Sequence, residues 1–419
     1  MWPYGPQGTG HAGLHMPRAE GGLQEIAAVL SNLIYPVPHI VGFLSGGARR
    51  PPTKVRSTQA YRVRTVPQIM TEPRTGQQHV GPIDASQVPR YAGIATFGRL
   101  PGLETVDSAD VAIAGVPFDG GTSFRPGARF GPAAVREASR LLRPYDPALG
   151  IEPFELQQVV DAGDVSCSPF SIPDAVDAIH SAARAFLERI PRLIFVGGDH
   201  TIAFPVLKAV SELWGPVALV HFDAHLDTWD SYFNAPLTHG TPFRRAREQG
   251  FLLDDHSIHV GLRGPLYARS DLLSDHDLGF TAIHVTDLDR LGIPAVIEKI
   301  RERIGDAPVY LSVDIDVLDP SHAPGTGTPE PGGMSSRELF AILRGLAGAH
   351  LVGADVVEVS PPFDHASITA LSAAQVIFTM LGLAATSPEV PRLSYPGNPA
   401  VPTAPDLAPD VGRQRSQPS

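Results

Sequence analysis

Cysteine is almost missing from this chain. Cys167 is the only one in 419 residues, so no internal disulfide can staple the fold. A surplus of basic charge is missing too. Lys and Arg number 33 against 44 Asp and Glu, a net charge of −11, which argues against nucleic acid as a partner. No apolar run reads as a membrane span. The stretch from Ile26 to Leu44 comes nearest, but Pro36 and Pro38 break it as a helix, and Asn32 and His39 interrupt it. The apolar segment from Ala366 to Ala385 carries Ser, Thr and Gln at intervals and reads as a core-packed helix. The Gly-rich loop from Val116 to Gly131 lacks both the Gly-Lys-Ser/Thr ending of a phosphate cradle and the dinucleotide glycine pattern. Asp119 and Phe124 of that loop read as pocket wall.

What is present divides the chain in three. Residues 1–80 are rich in Pro, Gly, Arg and Gln, with poor periodicity, and read as an extension without a fold of its own. Their Arg residues cluster beyond residue 48, too late for a transit peptide, so the expected location is cytoplasmic. Residues 387–419 read as a Pro-rich disordered tail. Between them, 81–386 alternates short apolar runs with segments of helical spacing. Asp174 to Ile190 places Val176, Ile179, Ala183, Phe186 and Ile190 on one helix face. Repeated units of this kind predict an α/β fold, three layers with a mainly parallel sheet between helices.

Three of the apolar runs end in polar residues. Leu193 to Val196 is followed by Gly197-Gly-Asp-His200, Val217 to Phe222 by Asp223-Ala-His-Leu-Asp227, and Val309 to Val313 by Asp314-Ile-Asp316. If strand geometry persists, Asp223, His225 and Asp227 project from one face. Ligand sites of open α/β sheets lie at the carboxyl ends of strands. Two carboxylates about 4 Å apart repel by roughly 4 kcal/mol at an effective dielectric near 20, so four crowded together call for cations. Oxygen ligands with a few imidazoles and no thiolate favour manganese over zinc or copper.

These three motifs, with Ser312-Val-Asp-Ile-Asp-Val-Leu-Asp-Pro320 as the full third one, resemble the signatures of the ureohydrolases, closest to the agmatinase-like amidinohydrolases. The resemblance covers about Gly81 to Ala385. It implies an eight-stranded three-layer fold and two Mn2+ per subunit, held by His200, Asp223, His225, Asp227, Asp314 and Asp316. It implies hydrolysis of a guanidino group to urea and an amine, with His239 carrying the proton and Glu358 pairing with the guanidinium. It also implies a homo-oligomer, trimer or hexamer.

The substrate is expected to be a small cationic guanidino compound. Trp229 stands where an arginase would have an amide to hold the α-carboxylate. Trp229, Tyr232 and Phe233 suit an aliphatic tail, and Asp230 could meet a terminal ammonium. Agmatine, giving putrescine and urea, is therefore the expected substrate. The alternatives are 4-guanidinobutanoate, for which Arg125 and Arg244 are candidate carboxylate partners, and a proclavaminate-type substrate. A deacetylase-like hydrolase with one zinc, or a non-catalytic scaffold, would need fewer ligands than the six present.

Overall fold

The computed structural model describes residues 79–388. The expectations for residues 1–78, including the run from Ile26 to Leu44, and for the tail beyond 388 lie outside the described residues. Eight strands follow one another: β1 (Val111–Val116), β2 (Val159–Asp164), β3 (Arg192–Gly197), β4 (Ala218–Phe222), β5 (Ser257–Leu262), β6 (Phe280–His284), β7 (Val309–Asp314) and β8 (Leu351–Val357). They form one sheet in the order β2-β1-β3-β8-β7-β4-β5-β6, and every pairing is parallel.

Parallel strands need crossover helices, which cover both faces, so the strands must be apolar on both sides. β1, β3, β4, β7 and β8 are buried at every residue. Alternate residues feed two cores. Ile113, Val220 and Val313 pack with Ile377 of the helix Ile368–Thr386, while Phe195 and Leu219 pack with Ile179 of the helix Ile172–Leu187 and Leu207 of the helix Ala203–Trp214. The helix Ile368–Thr386 is long and apolar enough to cross a membrane, but 72% of its apolar window is buried inside the protein, as a core helix requires.

Between β6 and β7 lie two helices, Val285–Leu291 and Ile293–Ile304. Gly292 between them takes φ +78°, a left-handed conformation that glycine adopts freely and that ends a helix. His284 is the last residue of β6, half-buried, and donates its backbone N–H to Asp287 at 3.1 Å to start the next helix.

The strand order reverses at the middle of the sheet. β8 and β7 are inserted between β3 and β4, so the ends that carry the three motifs and Glu358 are four consecutive neighbours. At a strand spacing of about 4.8 Å, these ends face one crevice.

Candidate metal centre

His200 lies in the turn after β3, buried completely. Its backbone N–H donates to Glu358 Oε1 at 3.0 Å. Its Nε2 meets Ser312 Oγ at 2.8 Å, and Ser312 donates its own hydroxyl proton to Asp355 at 2.6 Å. Ser312 must therefore accept from His200 Nε2–H, which leaves Nδ1 with its lone pair. That Nδ1 is buried and makes no hydrogen bond. It nevertheless sits 2.8 Å from Asp227 and 3.4 Å from both Asp223 and Asp314. With the ring neutral, a lone pair and three carboxylate oxygens converge in a buried space as acceptors with no donor among them. A cation satisfies them all.

A second convergence lies beside the first. His225 Nδ1 is 3.2 Å from Asp223 Oδ1 and 3.2 Å from Asp316 Oδ2. Asp223 belongs to both groups of side chains whose atoms can hold an ion. The electrostatics agree. Burial, reinforced by neighbouring carboxylates, pushes Asp314 well above the usual carboxylate range and Asp316 up to about 6. His200 and His225 rise well above theirs despite burial, because carboxylates surround them. Uncompensated negative charge is what a divalent ion neutralises, and the donor set fits two hard cations.

All six expected ligands meet here, though not by strand alternation. β4 stops at Phe222, and the next residues turn because Asp223 Oδ1 accepts the His225 backbone N–H at 2.6 Å. Asp227 takes φ +55° and swings back toward His200. Asp314 likewise accepts the N–H of Asp316, at 2.9 Å.

A cavity of about 590 Å³ opens above the cluster. Its wall includes His225, Asp227, Asp314, His239, Trp229 and Arg125. His239 Nδ1 donates to Glu358 Oε1 at 2.9 Å, while its Nε2 accepts from the Ser123 backbone N–H at 3.1 Å. Burial opposes charge on this ring, but Glu358 holds its pKa up to about 9. Glu358 follows β8 at φ +64° and is itself buried, reaching the cavity through His239, with Oε2 left without a partner.

Four residues expected to serve the rim do not line the cavity, Phe233 among them. Asp230 does not face the cavity: it is an exposed residue paired with Arg245 at 2.7 Å and Arg244 at 3.4 Å. Arg244 is taken by that pair and by Glu248 at 2.9 Å. Asp119 is buried under the Gly-rich loop, accepting the Gly127 N–H at 2.8 Å and pairing with Arg129. Phe124 and Trp229 do line the cavity, joined by Tyr232, Tyr267 and Glu330. Arg125 is held between the rings of Phe124 and Phe363, 5.2 Å from each centroid, and has no anionic partner among the described residues.

Two buried groups escape a reading of motifs. Asp199, its pKa pushed to about 7 by burial, braces the Gly-rich loop by accepting the Gly121 N–H at 2.7 Å and the Thr201 N–H at 3.0 Å. His221, two residues before Asp223 on the same strand face, places Nε2 2.8 Å from Asp223. Its position inside an apolar run hid it, although the same spacing of two that marked Asp223 and His225 marks it too.

The model of the Arginase family matches residues 109–382. The chain is 44% identical to a guanidinopropionase of Pseudomonas aeruginosa, over 74% of this chain and 97% of that one. It is 40% identical to a mitochondrial agmatinase of Gallus gallus, over 72% and 88%. Among solved structures it resembles the proclavaminate amidinohydrolase of Streptomyces clavuligerus, with a TM-score of 0.69, 41% identity, and coverage of 71% of this chain and 99% of that one.

Proposed function

Since the chain belongs to the arginase family, as an agmatinase-like hydrolase of C–N bonds in linear amidines, we propose that it releases urea from a small guanidino carboxylate at a pair of manganese ions. His200, Asp223, His225, Asp227, Asp314 and Asp316 would hold the ions. When bound, such a pair supplies a water-derived nucleophile near neutral pH.

The remaining steps belong to the chain. The free Oε2 of Glu358 is the acceptor for a guanidinium N–H, and its negative charge favours the planar cation. Water adds to the guanidinium carbon, the C–N bond to the alkyl nitrogen breaks, and that nitrogen must leave as a protonated amine. His239 lines the cavity, and its Nε2, which accepts from the Ser123 N–H when the ring is neutral, carries below about pH 9 the proton that it passes to the leaving nitrogen. Glu358 stabilises the charged ring on the other side.

The carboxylate is the finer part, and one observation carries it. Arg125 is the guanidinium on the cavity wall, and it has no anionic partner among the described residues. Agmatine, expected from Asp230, loses that support because Asp230 is paired away from the cavity. It keeps a weaker one in Glu330, a wall carboxylate able to meet an ammonium. Urea release from 3-guanidinopropionate, 4-guanidinobutanoate, agmatine and arginine, each with manganese, decides between them. Higher kcat/KM for agmatine than for both acids would overturn the carboxylate reading. The homo-oligomer, trimer or hexamer, belongs to the same proposal and is checked by the mass of the purified chain. The cytoplasmic location is checked by fractionation, since relatives from Gallus gallus and Homo sapiens carry mitochondrial names.

A further inference from the structure

A buried chain of side chains runs away from the metal centre. Asp223, the carboxylate common to both ion-competent groups, has its Oδ2 2.8 Å from His221 Nε2. His221 Nδ1 faces His259 Nδ1 at 2.7 Å. His259 Nε2 faces Asp275 Oδ1 at 3.1 Å, and that oxygen also accepts the Thr228 hydroxyl at 2.6 Å. Both imidazoles are completely buried, and Asp275 and Thr228 nearly so. Thr228 directly follows Asp227. The chain therefore closes on both ends of the Asp223–Asp227 motif, from strands β4 and β5 and the helix Arg269–Asp277.

Hydrogen-bond logic orders it. A carboxylate only accepts, so a hydrogen bond to Asp223 requires His221 Nε2–H. A hydrogen bond at Nδ1···Nδ1 then has His259 as the donor, and His259 Nε2 must also donate to an ionised Asp275. Burial opposes the charge of Asp275, yet His259, Thr228 and His221 together hold it below the usual carboxylate range.

We propose that His259, backed by Asp275, is a positioning residue for the metal centre: it locks His221 in the form that donates Nε2–H to Asp223, and so fixes the carboxylate that belongs to both groups of side chains able to hold an ion. This rests on the two-metal reading above. Outer partners of this kind set the orientation and basicity of ligands, and their loss costs about 10- to 100-fold in metal affinity.

The test is manganese binding to metal-stripped protein, followed by the resonance of free and bound manganese, with thermal melting as a check on folding. His259→Phe, which keeps a ring to stack on Phe280 (4.6 Å between centroids) but removes both nitrogens, binds manganese about 10- to 100-fold more weakly. Asp275→Leu does the same. Asp275→Asn, which keeps a donor and an acceptor in place, retains most of the affinity. Should His259→Phe fail to fold, the Asp275 pair carries the comparison alone. Wild-type affinity in a folded Asp275→Leu or His259→Phe protein would overturn the proposal. So would a third imidazole coupled to bound manganese and lost in His221→Phe, since His221 would then be a ligand and not a donor. Failure of the wild type to bind two ions or release urea strikes instead at the reading on which the proposal rests.

Discussion

At the floor of the site, His200, Asp223, Asp314 and Asp316 are buried at the ends of neighbouring strands, each tied to a backbone N–H or a buried hydroxyl. At the rim, Phe124, Tyr232 and Tyr267 ride on loops, with Phe124 66% and Tyr267 73% exposed. The floor is fixed by sheet register. Phe222 pairs with Val313 and Asp314 with Val357, so the end of one strand dictates where the next one delivers its carboxylate. The rim is fixed by side chains meeting across loops, such as the Tyr232 and Tyr267 hydroxyls at 3.1 Å. Chemistry is thus set where the backbone leaves little freedom, and substrate choice where it leaves more. Substitutions at the floor should abolish turnover of every guanidino compound alike, and substitutions at the rim should change only the preference among them.

The largest effect tests the floor. Asp314→Asn removes one carboxylate of a buried charge set, a loss of about 3–5 kcal/mol, or roughly 10²–10⁴ in metal affinity. Chelation of the wild type should abolish urea release, and manganese should restore it. Equal activity with and without metal would break the comparison at its root. Next comes His239, between floor and rim. His239→Asn should lower kcat by about 10²–10⁴ for all substrates, with KM less affected. Because Glu358 raises the pKa of His239 to about 9, the proton is present below that pH. The wild type should lose kcat as pH rises through about 9, and the variant should lack that limb.

The same division explains what the sequence made legible. The three motifs stood out because each follows a short apolar run, and strand ends in a parallel sheet need no distant partner to point into the crevice. The extended geometry expected for Asp223 to Asp227 was wrong in detail, since Asp223 caps its own turn, yet the convergence survived. His221 and His259 were hidden because a histidine inside an apolar strand looks like packing until its partner on the neighbouring strand is known. The helix Arg269–Asp277, which supplies Asp275, has no apolar periodicity to announce it. Asp230 misled for the opposite reason. Its partner Arg245 lies fifteen residues away on the helix Pro242–Glu248, and no local pattern says that the charge is already taken.

At the rim the expected effect is selective. A charge-assisted hydrogen bond contributes about 1.5–3 kcal/mol, so Arg125→Gln should raise KM for 4-guanidinobutanoate about 10- to 100-fold and leave agmatine unpenalised. An equal loss for both would make Arg125 part of the floor. A smaller effect comes from the loop that carries Thr328 and Glu330. Asp319 accepts from Ser321, Gly332 and Gly333, and those contacts hold its pKa down to about 2. Its contribution is complete above the ordinary value of 3.8 and is lost as pH falls through about 2. The group is only partly exposed, and screening by solvent limits the cost of Asp319→Asn to about 1 kcal/mol at neutral pH. In thermal melts, the gap to wild type should close on acidification.

The smallest effect sharpens the boundary of the site. Asp230 is exposed, 71% of its side chain facing solvent, and its carboxylate is shared by Arg244 and Arg245. The two arginines hold it below the usual carboxylate range, so it stays ionised throughout the neutral range and still presents no charge to the cavity. Asp230→Asn should therefore leave KM for agmatine and for 4-guanidinobutanoate unchanged. If KM for agmatine alone rises, Asp230 breaks its pair when substrate binds, and the rim extends one residue further along the loop than Trp229. If KM for the acid falls instead, the freed arginines have joined Arg125 in attracting carboxylate, and the specificity of this surface is a property of its summed charge and not of one residue.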